Sequence, residues 1–287
     1  MSSSSVLPRI RLDFPEGLNI WIESLETNCD YDKIDKIEDG IYLTSQKGAS
    51  RKGDLQEHNI THIINCANDS RGIYFPSDFV YKWLAINDSP TQDIQCFFLD
   101  VIDFVTKAKQ QNGHVLFHCQ LGVSRSATLV IAYLMWEHGW SCDETFQYVQ
   151  HMRLIIDPNI GFLSQLQDWE EKLKKYASHN IFNKCEAVEV MMTEQPKNTV
   201  IFITKEIKTY FPFPSDSCVI VYSNNTSMVA WHGRNCDKSL EIAVNIVMEW
   251  IMYYLLKQPN KTILEEFEGS ETDDFLSLMR MHNIAVP

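Results

Sequence analysis

The 287-residue chain carries 25 basic and 38 acidic side chains, a formal net charge of −13, with 45% hydrophobic and 11% aromatic residues. That charge excludes nonspecific nucleic-acid binding and adhesion to acidic lipid, and the apolar content excludes a disordered chain. The length allows one large or two small domains with a sizeable core, and the expected partners are proteins or small molecules.

Residues 1–36 read as an irregular or helical lead-in in which Trp21 and Ile22 pack on the next part of the chain, and RIRL at residues 9–12 reads as an exposed N-terminal segment. The start, MSSSS followed by LPRIRLDF, lacks the apolar core of a secretory signal, so a cytoplasmic chain, nuclear as well, is expected. From Lys36 the pattern sharpens. DGIYLTS, ITHIINCAND and FVYKWLAIND read as three strands, and QDIQCFFLDVIDFVTKAKQQNG as a helix closed by Asn112 and Gly113.

HVLFH is then a fourth strand, and SATLVIAYLM, apolar and free of Gly and Pro, a helix. DETFQYVQHMR and IGFLSQLQDWEEKLKKYA follow as two amphipathic helices. Strands interleaved with helices make an α/β domain over residues 37–176. SHNIFNK marks a joint at 177–184, and residues 185–287 form a second, smaller α/β module: NTVIFIT, SCVIVYS and SMVAWHG as strands, SNNTS as a hairpin turn, and a helix from about Lys238 to Leu256. Within that helix IVMEWIMYYLL contains Glu249 and is too short to span a bilayer, so no membrane insertion is expected. The cysteines at 29, 66, 96, 119, 142, 185, 218 and 236 show no CxxC pair and no zinc-ligand spacing to a His, and read as mostly buried reduced thiols.

The chemistry points to residues 118–126, HCQLGVSRS, where the strand gives way to the helix. If the helix starts near Ser124, backbone N–H groups of Gln120, Leu121, Gly122, Val123 and Ser124 join its N-terminus as an anion cradle suited to phosphate. Gly122 permits positive φ, and Arg125 adds a planar fork of donors for two phosphate oxygens. The same field lowers the pKa of Cys119, making it a thiolate nucleophile aimed at phosphorus. Ser126 is placed to donate to the sulfur in the second step. His118 suits orientation of the loop better than base catalysis, because a thiolate needs no base.

The leaving oxygen needs a proton, and Asp88, where the third strand opens into NDSPTQD, is the candidate general acid and base, with Asp93 as the fallback. Cys66, at the end of a strand, reads as buried packing; Asp216 reads as a turn residue and Glu241 as a solvated helix charge.

HCQLGVSRS resembles the signature of the protein tyrosine phosphatase superfamily, and its continuation AYLM the dual-specificity branch. GIYLTS, NITHIINCAND, SDFVYKWLAINDSPTQDI, AYLMW, FQYVQ and DPNIGFLSQL resemble the plant-type MAP-kinase phosphatases, over about residues 37–176. The resemblance implies a central sheet of the protein-tyrosine-phosphatase type flanked by helices, with Cys119, Arg125 and Asp88 in the family's catalytic positions and no metal or other cofactor. It implies hydrolysis of phosphotyrosine and phosphoserine or phosphothreonine, on a protein such as a MAP kinase.

SDSCVIVYSNNTSMVAWHGRNCDKSLEIA resembles a gelsolin repeat, which implies a gelsolin-like second domain, actin or a regulatory protein as its partner, and Asp216 and Glu241 as calcium candidates. In some relatives a disulfide to a neighbouring cysteine protects the oxidised nucleophile, a role that would fall to Cys66. The competing readings are a phosphoprotein-binding or actin-linked scaffold, or a phosphatase of cofilin or a phosphoinositide. The loop interior carries no basic residue, which favours a protein substrate over a lipid.

Overall fold

The computed structural model describes residues 10–13, 19–22, 30–68, 72–177, 186–195, 198–206, 213–222, 228–257 and 263–281. The lead-in contains strands rather than helix: β1 (Ile10–Asp13) pairs antiparallel with β2 (Asn19–Ile22), Ile10 opposite Ile22 and Leu12 opposite Ile20. IRLD alternates apolar and polar residues at the strand period, whereas NIWI is apolar throughout after Asn19 and carries no such alternation. RIRL therefore lies largely within β1, with Arg9 outside the described residues.

The first large sheet is built from β3 (Asp35–Glu38), β4 (Ile41–Ser45), β5 (Ile60–Asn65), β6 (Val80–Trp83) and β7 (His114–Cys119), with α1 (Lys52–Glu57) between β4 and β5 and α2 (Phe98–Gln110) between β6 and β7. Its order is β3-β4-β7-β5-β6, parallel except for the β3/β4 pair. The predicted third strand is shorter than its apolar run: β6 ends at Trp83, and the Leu84 N–H makes one further bond to β5, at Asn65 O (2.8 Å). The predicted helix at residues 92–113 begins as a 3-10 turn at Gln95–Phe97. β7 runs through the middle, and its alternation sends Val115, Phe117 and Cys119 to one face and Leu116 to the other.

The face shared by Cys119 is covered by α2, α3 (Arg125–His138), α4 (Cys142–Met152) and α5 (Ile160–Ala177). Every side chain of α3 from Arg125 to Met135 is buried, as expected of a helix apolar on all sides, and Gly139 at φ +70° ends it. A capping box between Ser141 and Glu144 starts α4.

The second sheet contains β8 (Glu186–Gln195), β9 (Asn198–Glu206), β10 (Cys218–Tyr222), β11 (Met228–His232) and β12 (Ile263–Phe267), in the order β12-β11-β10-β8-β9. Along β10, Cys218, Ile220 and Tyr222 face the core that contains α6 (Lys238–Trp250), while Val219 and Val221 face α7 (Asp273–Met281). SNNTS and the SHNIFNK joint lie outside the described residues.

Cys218 and Cys236 are joined in a disulfide, which corrects the reading of them as reduced thiols; Cys66, Cys96, Cys119 and Cys142 are free, and Cys29 and Cys185 lie outside the described residues. The two sheets share one apolar core. Trp136 on α3 donates to Tyr254 O at 3.0 Å, and the Tyr254 hydroxyl donates to Asp103 on α2 at 2.9 Å. Among the described residues, no helix is long and apolar enough to cross a membrane.

Candidate active site

The middle strand of a largely parallel sheet ends at Cys119, so the loop to α3 opens at the carboxyl edge, where such sheets bind ligands. Gly122 holds φ +70°, and a Cβ there would lie 2.4 Å from Thr44 O and 2.8 Å from an Arg153 nitrogen, so only glycine lets the loop turn against β4. Ser124 is the N-cap of α3, yet its side chain caps nothing; the hydroxyl donates instead to Asp88 Oδ1 at 2.8 Å. Gln120 and Leu121 are exposed at the surface of the loop, Val123 is half-buried, and Ser124 and Arg125 are buried.

Within this loop the buried Cys119 Sγ accepts from the Gly122 N–H at 3.3 Å and from the Ser126 hydroxyl at 3.2 Å. Burial raises the pKa of the thiol, but the Ser126 hydroxyl and backbone N–H, the Arg125 charge and the Gly122 N–H together outweigh it, so the pKa lies below the ordinary value. Arg125 donates to Ile86 O at 3.1 Å, and its Nε stands 3.4 Å from Asp88 Oδ2. Cys119, Arg125, Ser126 and Asp88 are therefore linked around one loop. Asp93 is engaged elsewhere, accepting the Cys96 N–H at 3.2 Å at the start of the 3-10 turn.

His118 is fully buried, its Nδ1 lies 3.4 Å from the Cys119 carbonyl, and burial pulls its pKa down to about 4, so it is neutral at pH 7. Cys66 donates its N–H to His118 O at 2.8 Å; burial first, and then the neighbouring Cys119, push its thiol pKa well up.

Residues 41–172 match the family profile for the dual specificity phosphatase catalytic domain. Dual specificity protein phosphatase 1 of Arabidopsis thaliana is 39% identical over 180 residues, covering 60% of this chain and 90% of that protein. The chain belongs to the dual-specificity phosphatase family. Protein-tyrosine-phosphatase MKP1 of Arabidopsis thaliana is 33% identical over 251 residues, 86% of this chain, and the chain spans 32% of that longer relative. The crystal structure of the human tyrosine phosphatase-like serine/threonine/tyrosine-interacting protein superposes with a TM-score of 0.46 at 38% identity, covering 48% of this chain and 95% of that one.

Two supports of the phosphatase site escape sequence reasoning. The first is Arg153, buried at the end of α4: Nε donates to Gly122 O at 2.9 Å and Nη2 to Leu121 O at 3.1 Å and Tyr31 O at 2.8 Å, while Nη1 reaches Lys33 O at 3.2 Å and Asp35 Oδ2 at 2.7 Å. A loop that turns its N–H groups toward an anion must turn carbonyls away from it, and Arg153 donates to two of those carbonyls.

The second support is the N-terminal end of α5, which holds the segment carrying Asp88. Asn159 Nδ2 donates to Asp88 Oδ1 at 3.0 Å; Gln165 accepts the Ile94 and Gln95 N–H groups at 2.8 and 3.0 Å and donates to Gln92 O at 2.9 Å. Between them a Cβ on Gly161 would fall 2.0 Å from Pro90 O. Gly161→Ala is therefore expected to displace the segment that carries Asp88. A misplacement of about 1 Å costs catalysis about 10²-fold. A loss of that order is expected in kcat on an alkyl phosphate, a smaller one on an aryl phosphate whose leaving group needs little proton donation, and none in the alkylation rate of Cys119. Equal losses on both substrates would refute the assignment.

In the second half, Asp216 is exposed before β10 and the Glu241 side chain lies outside the described residues. Among the described residues, no three His, Cys, Asp or Glu side chains converge to hold a metal.

Proposed function

We propose that the chain hydrolyses phosphotyrosine and phosphoserine or phosphothreonine on a protein, with a phosphorylated MAP kinase as the substrate the sequence resemblance favours. The observation that carries this reading is the Cys119 thiol, with lowered pKa, inside a loop of amides and bonded to the Ser126 hydroxyl at 3.2 Å, with Asp88 bonded to the same loop at 2.8 Å.

In the first step the Cys119 thiolate attacks phosphorus, the P–O ester bond breaks, and Asp88 gives its proton to the departing oxygen. The Arg125 fork and the loop amides hold the charge of the transferring phosphoryl group. Water then attacks the cysteinyl-phosphate. Asp88, now ionised, takes the water proton, the S–P bond breaks, and the Ser126 hydroxyl stabilises the departing thiolate. Phosphate leaves.

We also assign the catalytic machinery to residues 37–176 and a gelsolin-like module to 185–287, across a joint at 177–184; two separate sheets support that division. An actin or regulatory partner for the second module belongs to the same proposal, as does a weak calcium site involving Asp216 and Glu241. The decisive experiment is phosphate release from phosphotyrosine and phosphothreonine peptides, a phosphoinositide and a doubly phosphorylated MAP kinase. Turnover on both peptide classes and on the kinase is expected. Release from the phosphoinositide alone would overturn the protein-substrate reading.

A further inference from the structure

The chain leaves the Asp88 loop through the 3-10 turn Gln95–Phe97 and runs straight on into α2. Gln165 fixes that turn from α5, accepting the Ile94 and Gln95 N–H groups. A second contact comes from the other sheet: its edge strand β9 packs against the same turn, although the two are far apart in sequence.

The second half of the chain also grips α2 further along. α6 runs on into a single π-helical turn, Ile251–Leu255, closed by the Leu256 N–H donating to Ile251 O at 2.8 Å. Such turns interrupt the regular helical ladder and recur at functional sites. Here the turn presents the buried Tyr254 to the catalytic helices. Its ring meets Trp136 of α3 edge-on with centroids 5.5 Å apart, its carbonyl accepts the Trp136 N–H at 3.0 Å, and its hydroxyl donates to Asp103 of α2 at 2.9 Å. Asp103 also pairs with Lys107 at 2.8 Å, one turn along α2.

α2 and its leading turn are therefore held at two places from the second half of the chain, and Asp88 lies just upstream of the first. Cys119 depends on other groups, the Gly122 N–H, Ser126 and Arg125, and Trp136 lies at the far end of α3 from Arg125. A shift of the second half thus reaches the acid before it reaches the nucleophile.

We propose that the second sheet and α6 brace the Asp88 segment through α2, with Tyr254 as a positioning residue for proton delivery to the leaving group. This rests on the hydrolytic reading and gives the second half of the chain a part in it. General acid catalysis supplies about 10²- to 10⁴-fold, and a misplacement of about 1 Å forfeits about 10²-fold, so partial release of the brace is expected to cost about tenfold.

The test uses the full chain with Tyr254→Ala, which removes ring and hydroxyl, and Tyr254→Phe, which keeps the ring and loses the bond to Asp103. The quantity measured is kcat/KM, which reads the step that expels the leaving group. Tyr254→Ala is expected to lower it about tenfold on an alkyl phosphate and about twofold or less on an aryl phosphate, with the alkylation midpoint of Cys119 unchanged. Tyr254→Phe is expected to show the same pattern at about three- to fivefold, the worth of one hydrogen bond, and decides alone if the alanine variant does not fold. Hydrogen exchange at the Ile94, Gln95 and Cys96 amides, all bonded in the intact chain, is expected to quicken in the variants. Equal losses on both substrates, a raised alkylation midpoint, an unchanged alkyl phosphate rate or unchanged exchange at the turn each overturns the brace.

Absence of turnover by the intact chain on every substrate defeats the hydrolytic reading instead. The brace is then judged by exchange: quicker exchange at residues 94–96 in Tyr254→Phe, with the amides of 119–124 unaffected, sustains it, and equal exchange at 94–96 or a change at both places overturns it.

Discussion

Cys119→Ser is expected to lower phosphate release by on the order of 10⁴-fold or more, while binding of a phosphate analogue such as tungstate is retained. A serine hydroxyl is not ionised at neutral pH and needs a base, and the neighbouring His118 is buried with its Nδ1 against a carbonyl, which leaves it unsuited to take that proton. Asp88→Ala is expected to be slower than the intact chain by about 10²- to 10⁴-fold on an alkyl phosphate and much less on an aryl phosphate, the mark of a lost general acid.

The thiol itself can be read by alkylation. Burial disfavours the thiolate, but the Ser126 donors, Arg125 and the Gly122 N–H favour it more strongly, so the reactive form persists below the pH at which a free thiol is protonated. The sign is fixed: removing a donor raises the pKa, so Ser126→Ala should shift the alkylation midpoint to higher pH. A midpoint in the ordinary thiol range in the intact chain would contradict the activated nucleophile.

The parts of this site that are legible in the sequence are those contiguous along it. A short apolar run, a glycine, an arginine and a long apolar helix within residues 114–138 place Cys119, the turn and the helix N-terminus together without long-range information. Asp88 is legible with less resolution, because Asp93 sits in the same loop; the choice depends on Ser124 and Asn159 reaching one carboxylate and a 3-10 turn claiming the other.

Arg153, Asn159, Gly161 and Gln165 carry no local signal. Arg153 meets the loop 31 and 32 residues away, and Gln165 meets the acid segment more than 70 away, so sequence shows an ordinary helix end and an ordinary amphipathic helix. The same limit hides the Cys218–Cys236 disulfide, 18 residues apart with no motif between them. β8 lacks a strand signal because Glu186, Glu189 and Glu194 interrupt its apolar run.

Arg153→Met is expected to cost about 3 kcal/mol of stability, read as a lower urea midpoint, because it strips a buried carboxylate and several carbonyls of one shared donor. Lys33 stays 3.0 Å from Asp35 and meets part of that loss, which puts the figure at the lower end of the range for a broken buried pair. Arg153→Lys separates two roles. A lysine restores the charge beside Asp35 but not the planar fork that reaches Gly122 O and Leu121 O from two nitrogens 2.9 and 3.1 Å away. It is therefore expected to recover much of the urea midpoint while leaving tungstate binding weakened and the alkylation midpoint of Cys119 raised, since the Gly122 N–H depends on the turn that Arg153 holds. A lysine variant that recovers stability, tungstate binding and alkylation together would reduce Arg153 to a simple counter-ion for Asp35. Recovery of stability alone assigns the shape of the phosphate loop to a guanidinium on a helix that reads, in sequence, as scaffold.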